Sequence, residues 1–440
     1  MERGVAAWAW MRKTVGALLP RGQFARSVAV LAGGTALGQA ITVLASPILT
    51  RLYTPEDFGV MAVYTSTLGI LSVIASWRYE LAIPLSERDE DAANLLVLSI
   101  GIVALMSLLV GLGTWLGGEQ IVQWLNAPGL RSHLWLWPIG VLLVGTYQVF
   151  NYWAVRKRAF GRIARTRINQ SLGAVAIQTV FGLFKLGSLG LLIGHVVGQG
   201  AGTTTLAILA HREDKKALYS ISFGGVRRMA RRYQRYPLLS SFSGLINSVG
   251  LQLPAILLAS FYGLQVAGWF TLGQRVIGAP MALVGQAVSQ VYLGEAAQLA
   301  RQNPSSLRSL FLKTASRLLL LGLAPLGLLA LSGPWLFAQI FGAGWRDAGI
   351  YIQVLSLMFL VQFVVVPLSQ TLNVLERQDW QLGWDIGRLL VVMIALLVAY
   401  TLSWSSVGAV AMYSVAMLIA YVTLFGLSLS ALQEKIRYGS

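Results

Sequence analysis

Twelve long apolar stretches run through this chain, each close to the roughly 20 residues a helix needs to cross a bilayer. They lie near 27–50, 57–76, 94–116, 134–155, 168–184, 188–210, 237–260, 264–292, 310–332, 348–373, 382–401 and 404–431. Backbone amides in hydrocarbon have no water to bond, so each stretch must be a helix that satisfies itself. Composition closes the alternatives. Of 440 residues, 56% are apolar and 12% charged, against about 25% charged in soluble domains. That is too little polar surface to enclose a soluble core and too much hydrophobicity for disorder. The lack of Cys removes disulfides, thiolate zinc sites, iron–sulfur clusters and thiol catalysis. The expectation is an all-α polytopic membrane protein of about 12 transmembrane helices. The 168–184 stretch is short, and 264–292 is long and contains Arg275.

The net charge of +17 in a soluble protein would suggest nucleic acid. Its distribution points to a membrane instead. When the stretches alternate sides, 29 of the 34 Lys and Arg share the side of the N-terminus. The other side keeps Arg51, Arg131, Lys185 and Arg346, and Arg275 stays inside a span. This asymmetry places both termini in the cytoplasm, and no nucleic-acid partner is expected. Trp77, Trp115, Trp135, Trp153, Trp335, Trp380 and Trp404 fall near span ends, as an interfacial belt requires. Residues 1–25 are too basic, and the following run too long, for a cleaved signal peptide. They read as a cytoplasmic lead-in.

The densest basic stretch, 211–236, divides the spans six and six. The chain therefore reads as a lead-in (1–25), an N-lobe (26–210), a basic cytoplasmic linker (211–236), a C-lobe (237–432) and a tail (433–440). With an even number of spans per lobe the repeat is parallel. Internal similarity agrees. Pro47, Leu52-Tyr53 and Phe58-Gly59 correspond to Pro254, Phe261-Tyr262 and Ala267-Gly268. Gly118–Leu125 parallels Gly333–Ile340, and both read as short interfacial segments on the outer face. The expected architecture is two six-helix bundles around a central polar cavity.

Ionisable groups within spans are costly and usually face a cavity or a partner. Arg275 has Gly278, Ala282, Gln286 and Ser289 on its helical face, and its guanidinium carries donors that suit phosphate oxygens. The alternative for it is an ion pair with an acid such as Asp385. Asp385 and Arg388, one turn apart, can pair with each other or join an ion or substrate relay. His195 lies beside the Gly194, Gly198 and Gly202 stripe. It suits an interhelical hydrogen bond or proton coupling. Polar stripes in the first span (Thr35, Gln39, Thr42, Ser46), the seventh (Ser243, Asn247, Gln252) and the tenth (Gln362, Ser369, Gln370, Asn373) suggest a shared cavity or polar contacts between helices. Arg26 and Arg78, with Glu80 nearby, would meet an anionic headgroup at the cytoplasmic face. Arg51 and Lys185 would receive it outside. All four cations also suit interfacial snorkelling. The candidate contacts are thus Arg275, Arg51, Arg78, Arg388, Gln39, Asn247 and Gln286. The candidate coupling groups are Asp385, His195 and Glu80.

No phosphate-loop motif, HExxH or GxSxG occurs, and no outward loop is long enough for a catalytic platform. No cofactor or metal is expected. Arg51–Gly59, Trp77–Leu85, Asn151–Arg158, Gly273–Val276 and Gly344–Tyr351 together resemble signatures of the Wzx-type lipid-linked oligosaccharide flippases, in the polysaccharide transport branch of the MOP exporter superfamily. The resemblance extends over about 26–430. It implies two six-helix bundles in a bacterial inner membrane that move an undecaprenyl-diphosphate-linked oligosaccharide from the cytoplasmic to the periplasmic leaflet by alternating access, beside a polysaccharide polymerase and chain-length regulator. A polymerase or ligase of the same pathway, or a multidrug exporter of the same superfamily, is the alternative. The sign of Arg275 disfavours cationic drugs.

Overall fold

The computed structural model describes residues 23–213, 215, 219–302 and 304–438. The expected lead-in lies outside the described residues except for 23–25, which open the first helix. The described residues are helices and turns, without a strand.

Among the described residues, twelve helices have at least 20 residues. The first six are α1 (Gln23–Leu52), α2 (Pro55–Ile74), α3 (Asp89–Trp124), α4 (Leu136–Arg156), α5 (Phe160–Leu183) and α6 (Ser188–Glu213). After the short helix α7 (Phe223–Arg232) come α8 (Ser241–Tyr262), α9 (Leu264–Gln302), α10 (Pro304–Phe341) and α11 (Arg346–Leu368). One turn, α12 (Gln370–Val374), precedes α13 (Gln378–Thr401) and α14 (Ser406–Tyr438). Ten of the twelve long helices are long and apolar enough to cross a membrane. The two outside that group are α4 and α5. Helix α5 begins eight residues before the expected span and carries Arg162, Arg165 and Arg167 in its first turns. It can do so because it is packed between α1 and α6.

Within the first lobe α1 packs on α5, α5 on α6, and α4 on α3 and α6. Within the second, α10 packs on α11, α11 on α9 and α14, and α13 on α14 and α8. The lobes meet chiefly where α2 lies against α8 and α9. Gly118–Leu125 and Gly333–Ile340 are not separate interfacial segments. They are the last turns of the 36-residue α3 and the 38-residue α10, helices longer than a bilayer requires.

The Arg51–Gly59 motif owes its residues to the start of α2 and to the lobe junction. Tyr53 Oη donates to Gln178 O at 2.6 Å. Thr54 and Asp57 form a reciprocal capping box, with Pro55 in the first turn, where its missing N–H costs nothing. Phe58 meets the Trp345 ring edge-on at 4.9 Å, and Trp345 Nε1 donates to Thr50 O at 3.0 Å. Two stretches nearly 300 residues apart, Arg51–Gly59 and Gly344–Tyr351, thus form one interlobe contact. At its centre the repeat-related glycines cross. A Cβ on Gly59 would lie 1.8 Å from Leu264 O, and one on Gly268 1.9 Å from Pro55 O. Only glycine allows these backbones to touch.

Candidate functional site

A cavity of about 340 Å³ lies between α1, α5 and α6 of the first lobe and α9 of the second. Arg275 forms its second-lobe wall, with Ala279 one turn on. Opposite stand Gln39 from α1, Gln170 and Ser171 from α5, and His195 and Gln199 from α6. A second space of about 390 Å³ shares Arg275 and His195 and adds Phe58, Thr65, Thr271 and Gln274. Arg275 and His195 therefore stand where the two spaces join.

No Asp or Glu lines either space, whereas Arg167 and Arg275 do. Arg275 has no ion pair among the described residues. Its alternative partner, Asp385, pairs with Arg388 at 3.2 Å. An unpaired guanidinium held out of bulk water is costly, and an anion in this cavity would offset that cost. Hydrogen-bonding groups surround it. Gln170 Nε2 donates to Gln199 Oε1 at 3.4 Å. Gln39 Oε1 and Thr271 Oγ1 are buried without a partner and are free for a ligand. His195 meets the Tyr64 ring edge-on at 6.1 Å.

The structure brings Arg275, Gln39 and His195 together and places the other candidates elsewhere. Gln286, with Gly278, Ala282 and Ser289, lines a separate cavity of about 290 Å³ between α9 and α11, further along α9 than Arg275. Arg388 is buried in the second lobe. It donates to Asn247 Oδ1 at 3.3 Å, pairs with Asp385 and lies 4.8 Å from the Trp384 ring centre. Arg51 is exposed at the end of α1, lining none of these cavities. Arg78, in a left-handed conformation (φ 62°), reaches across to the start of α8 and covers Gly244. Glu80 is buried beside it and bonded by Ser76 Oγ. Burial raises the Glu80 carboxyl above its ordinary range, which the Ser76 hydrogen bond and Arg78 oppose. The Arg26 side chain lies outside the described residues.

Sequence reasoning passed over the α5 face. Arg167 counted as one of a cytoplasmic cluster, but it lines the cavity 5.2 Å from the Tyr147 ring centre. The spacing of Arg167, Gln170-Ser171, Ala174 and Gln178 is that of one helical face, and all five line the cavity. Extending the helix back to Phe160 would have revealed it.

The two lobes and the cavity between them define a fold shared with membrane transporters of the MOP superfamily. An inward-facing multidrug MATE transporter of that superfamily superposes with a TM-score of 0.76 at 14% identity, over 91% of this chain and 96% of its own. The lipid II flippase MurJ, inward closed, gives 0.72 at 11% identity, over 92% and 89%. The family profile for "Polysaccharide biosynthesis protein" matches residues 48–350, and the chain belongs to that family. The succinoglycan biosynthesis transport protein ExoT of Rhizobium meliloti (strain 1021) is 27% identical over 334 residues. That match covers 73% of this chain and 63% of ExoT, so the chain spans less than two thirds of this relative's length.

Proposed function

We propose that this protein is a flippase, not an enzyme. It moves an undecaprenyl-diphosphate-linked oligosaccharide from the cytoplasmic to the periplasmic leaflet of the inner membrane, for assembly of a surface polysaccharide. One observation carries the reading: Arg275 stands unpaired in an interlobe cavity rich in amide and hydroxyl groups and lined by no acid. A diphosphate cannot cross hydrocarbon uncompensated. A guanidinium offers it forked donors, and glutamines and threonines suit sugar hydroxyls. Family membership supports a polysaccharide cargo, and the likenesses to ExoT and MurJ support a transport role.

In this reading the lobes, 26–210 and 237–432, rock so that the α2–α9 crossing at Gly59 and Gly268 seals one end of the cavity and parts when that end opens, and the linker 211–236 joins them in the cytoplasm. The end bearing the basic clusters is cytoplasmic and both termini lie there. Arg275, Arg167 and Gln39 hold the headgroup. Arg78 and Arg388 act nearer the entrance, and Arg51 at the exit. His195, Asp385 and Glu80 are the groups available for ion or proton coupling. The prenyl chain stays in lipid, and a polymerase and chain-length regulator receive the product.

Leaflet-resolved quantification of lipid-linked oligosaccharide, with and without the protein, tests this. Loss of the protein should leave complete repeat units on the cytoplasmic side. Units that reach the periplasmic side but stay unpolymerised would replace the flippase reading with a polymerase.

A further inference from the structure

The basic linker holds a feature that substrate movement does not use. Helix α7 starts at Ser222, whose Oγ accepts from Gly225 N at 3.1 Å. Gly225 and Met229 are buried. Ser222 N donates to Asn94 Oδ1 at 3.1 Å, and Tyr79 Oη donates to Ala230 O at 3.1 Å. Flanking this face, Arg228 pairs with Asp91 at 3.2 Å and Arg232 with Glu87 at 3.3 Å. These contacts fasten α7 to the first lobe.

The other face has no such partners. Phe223, Arg227 and Arg231 follow one another at intervals of four, so they share a face roughly opposite Gly225 and Met229. Arg235 extends the row just beyond the helix. All three arginines are exposed, and none has an ion pair among the described residues. Phe223 is 86% exposed. The following turn adds exposed Leu238, Leu239 and Phe242. Residues 219–242 contain five Arg and no Asp or Glu.

Position decides what such a face meets. The start of α7 is held at Asn94, which lies five residues, roughly 7.5 Å, further along α3 than Asp89. Its end is held at Glu87. The helix therefore runs beside the first turns of a membrane-crossing helix and not beneath it. Cations alternating with bulky apolar groups at that level match the headgroup boundary.

The geometry points to a binding site for an anionic phospholipid headgroup of the cytoplasmic leaflet, with Arg227, Arg231 and Arg235 on the phosphate and Phe223 among the chains. The leaflet assignment rests on the orientation proposed above; the headgroup chemistry does not. The intact protein, purified in an uncharged detergent, is titrated with phosphatidylglycerol and with phosphatidylcholine as the neutral control, and bound lipid is counted by native mass spectrometry. Phosphatidylglycerol is expected to bind preferentially, and more weakly as salt rises. The triple variant Arg227→Gln, Arg231→Gln, Arg235→Gln should bind it about fivefold more weakly per charge removed, with an unchanged melting temperature without lipid. Phe223→Ser should weaken binding with the charges intact. Equal phosphatidylglycerol binding by wild type and the triple variant overturns the proposal, as does equal binding of the two lipids by wild type. The second outcome would leave the row to an acidic protein. The assay has no sidedness, so an error in orientation, read by impermeant labelling of Arg235→Cys in intact cells, would not alter it.

Discussion

Substituting Gly268 by Ala probes the lobe junction most directly. The new methyl would lie 1.9 Å from Pro55 O, whereas carbon–oxygen contacts settle at about 3.3 Å. Helices α2 and α9 would have to part by roughly 1.4 Å. No side chain can rotate away, because the obstacle is backbone. Overpacking of this kind costs about 1–3 kcal/mol, and the cost falls only on states in which this end is closed. The closed population should then drop about 5- to 150-fold relative to open forms. The absence of native Cys provides a clean assay. Asn126 Nδ2 donates to Ser260 O at 3.0 Å across the same junction, so Asn126→Cys with Ser260→Cys reports closure by oxidative cross-linking in membranes. The initial rate of cross-linking should fall in Gly268→Ala, by up to that factor where open forms predominate. It should not change in Gly278→Ala, where nothing lies within 4 Å of the added Cβ. Cross-linking and export both equal to the parent in Gly268→Ala would refute the argument that this crossing seals the cavity.

Arg275→Ala should abolish surface polysaccharide while the protein still inserts, and Arg275→Lys should retain part of it, since an ammonium keeps the charge but loses the fork; normal export by the Ala variant removes Arg275 from the mechanism. Arg388→Ala leaves Asp385 without its partner and should lower stability toward the smaller end of about 3–5 kcal/mol, because Asp385 keeps some solvent access; thermal unfolding in detergent measures it, and adding Asp385→Ala should restore part of the loss. Burial raises the Glu80 carboxyl, so the folded state holds that proton to higher pH than the unfolded chain does. Its contribution to stability should therefore be greatest at low pH and decline as pH rises from the ordinary glutamate range through the raised value. Glu80→Gln should flatten the melting temperature across that interval, and an identical pH profile in the variant would show that another group is responsible.

Much of this protein is determined one helix at a time, and that part is legible in the sequence. Apolar length marks ten of the twelve long helices, and the basic stretch at 211–236 falls between the sixth and the seventh of them. A cation such as Arg275, well inside an apolar run with no acid at helical spacing, calls for a cavity or for a partner on another helix by its position in the chain. Tertiary structure decided what depends on which helices become neighbours. Hydropathy broke α5 at its arginines, yet packing between α1 and α6 carries the helix through them and turns Arg167 into the cavity. Helical spacing left Asp385 open to Arg388 on its own helix or to Arg275 on another, and the structure pairs it with Arg388 while Arg275 lines the interlobe cavity. Gly59 and Gly268 repeat visibly in the chain, but their purpose exists only where they touch. Periodicity records the side of a helix that avoids lipid; the identity of what covers that side is a relation between residues hundreds of positions apart, which no local pattern contains.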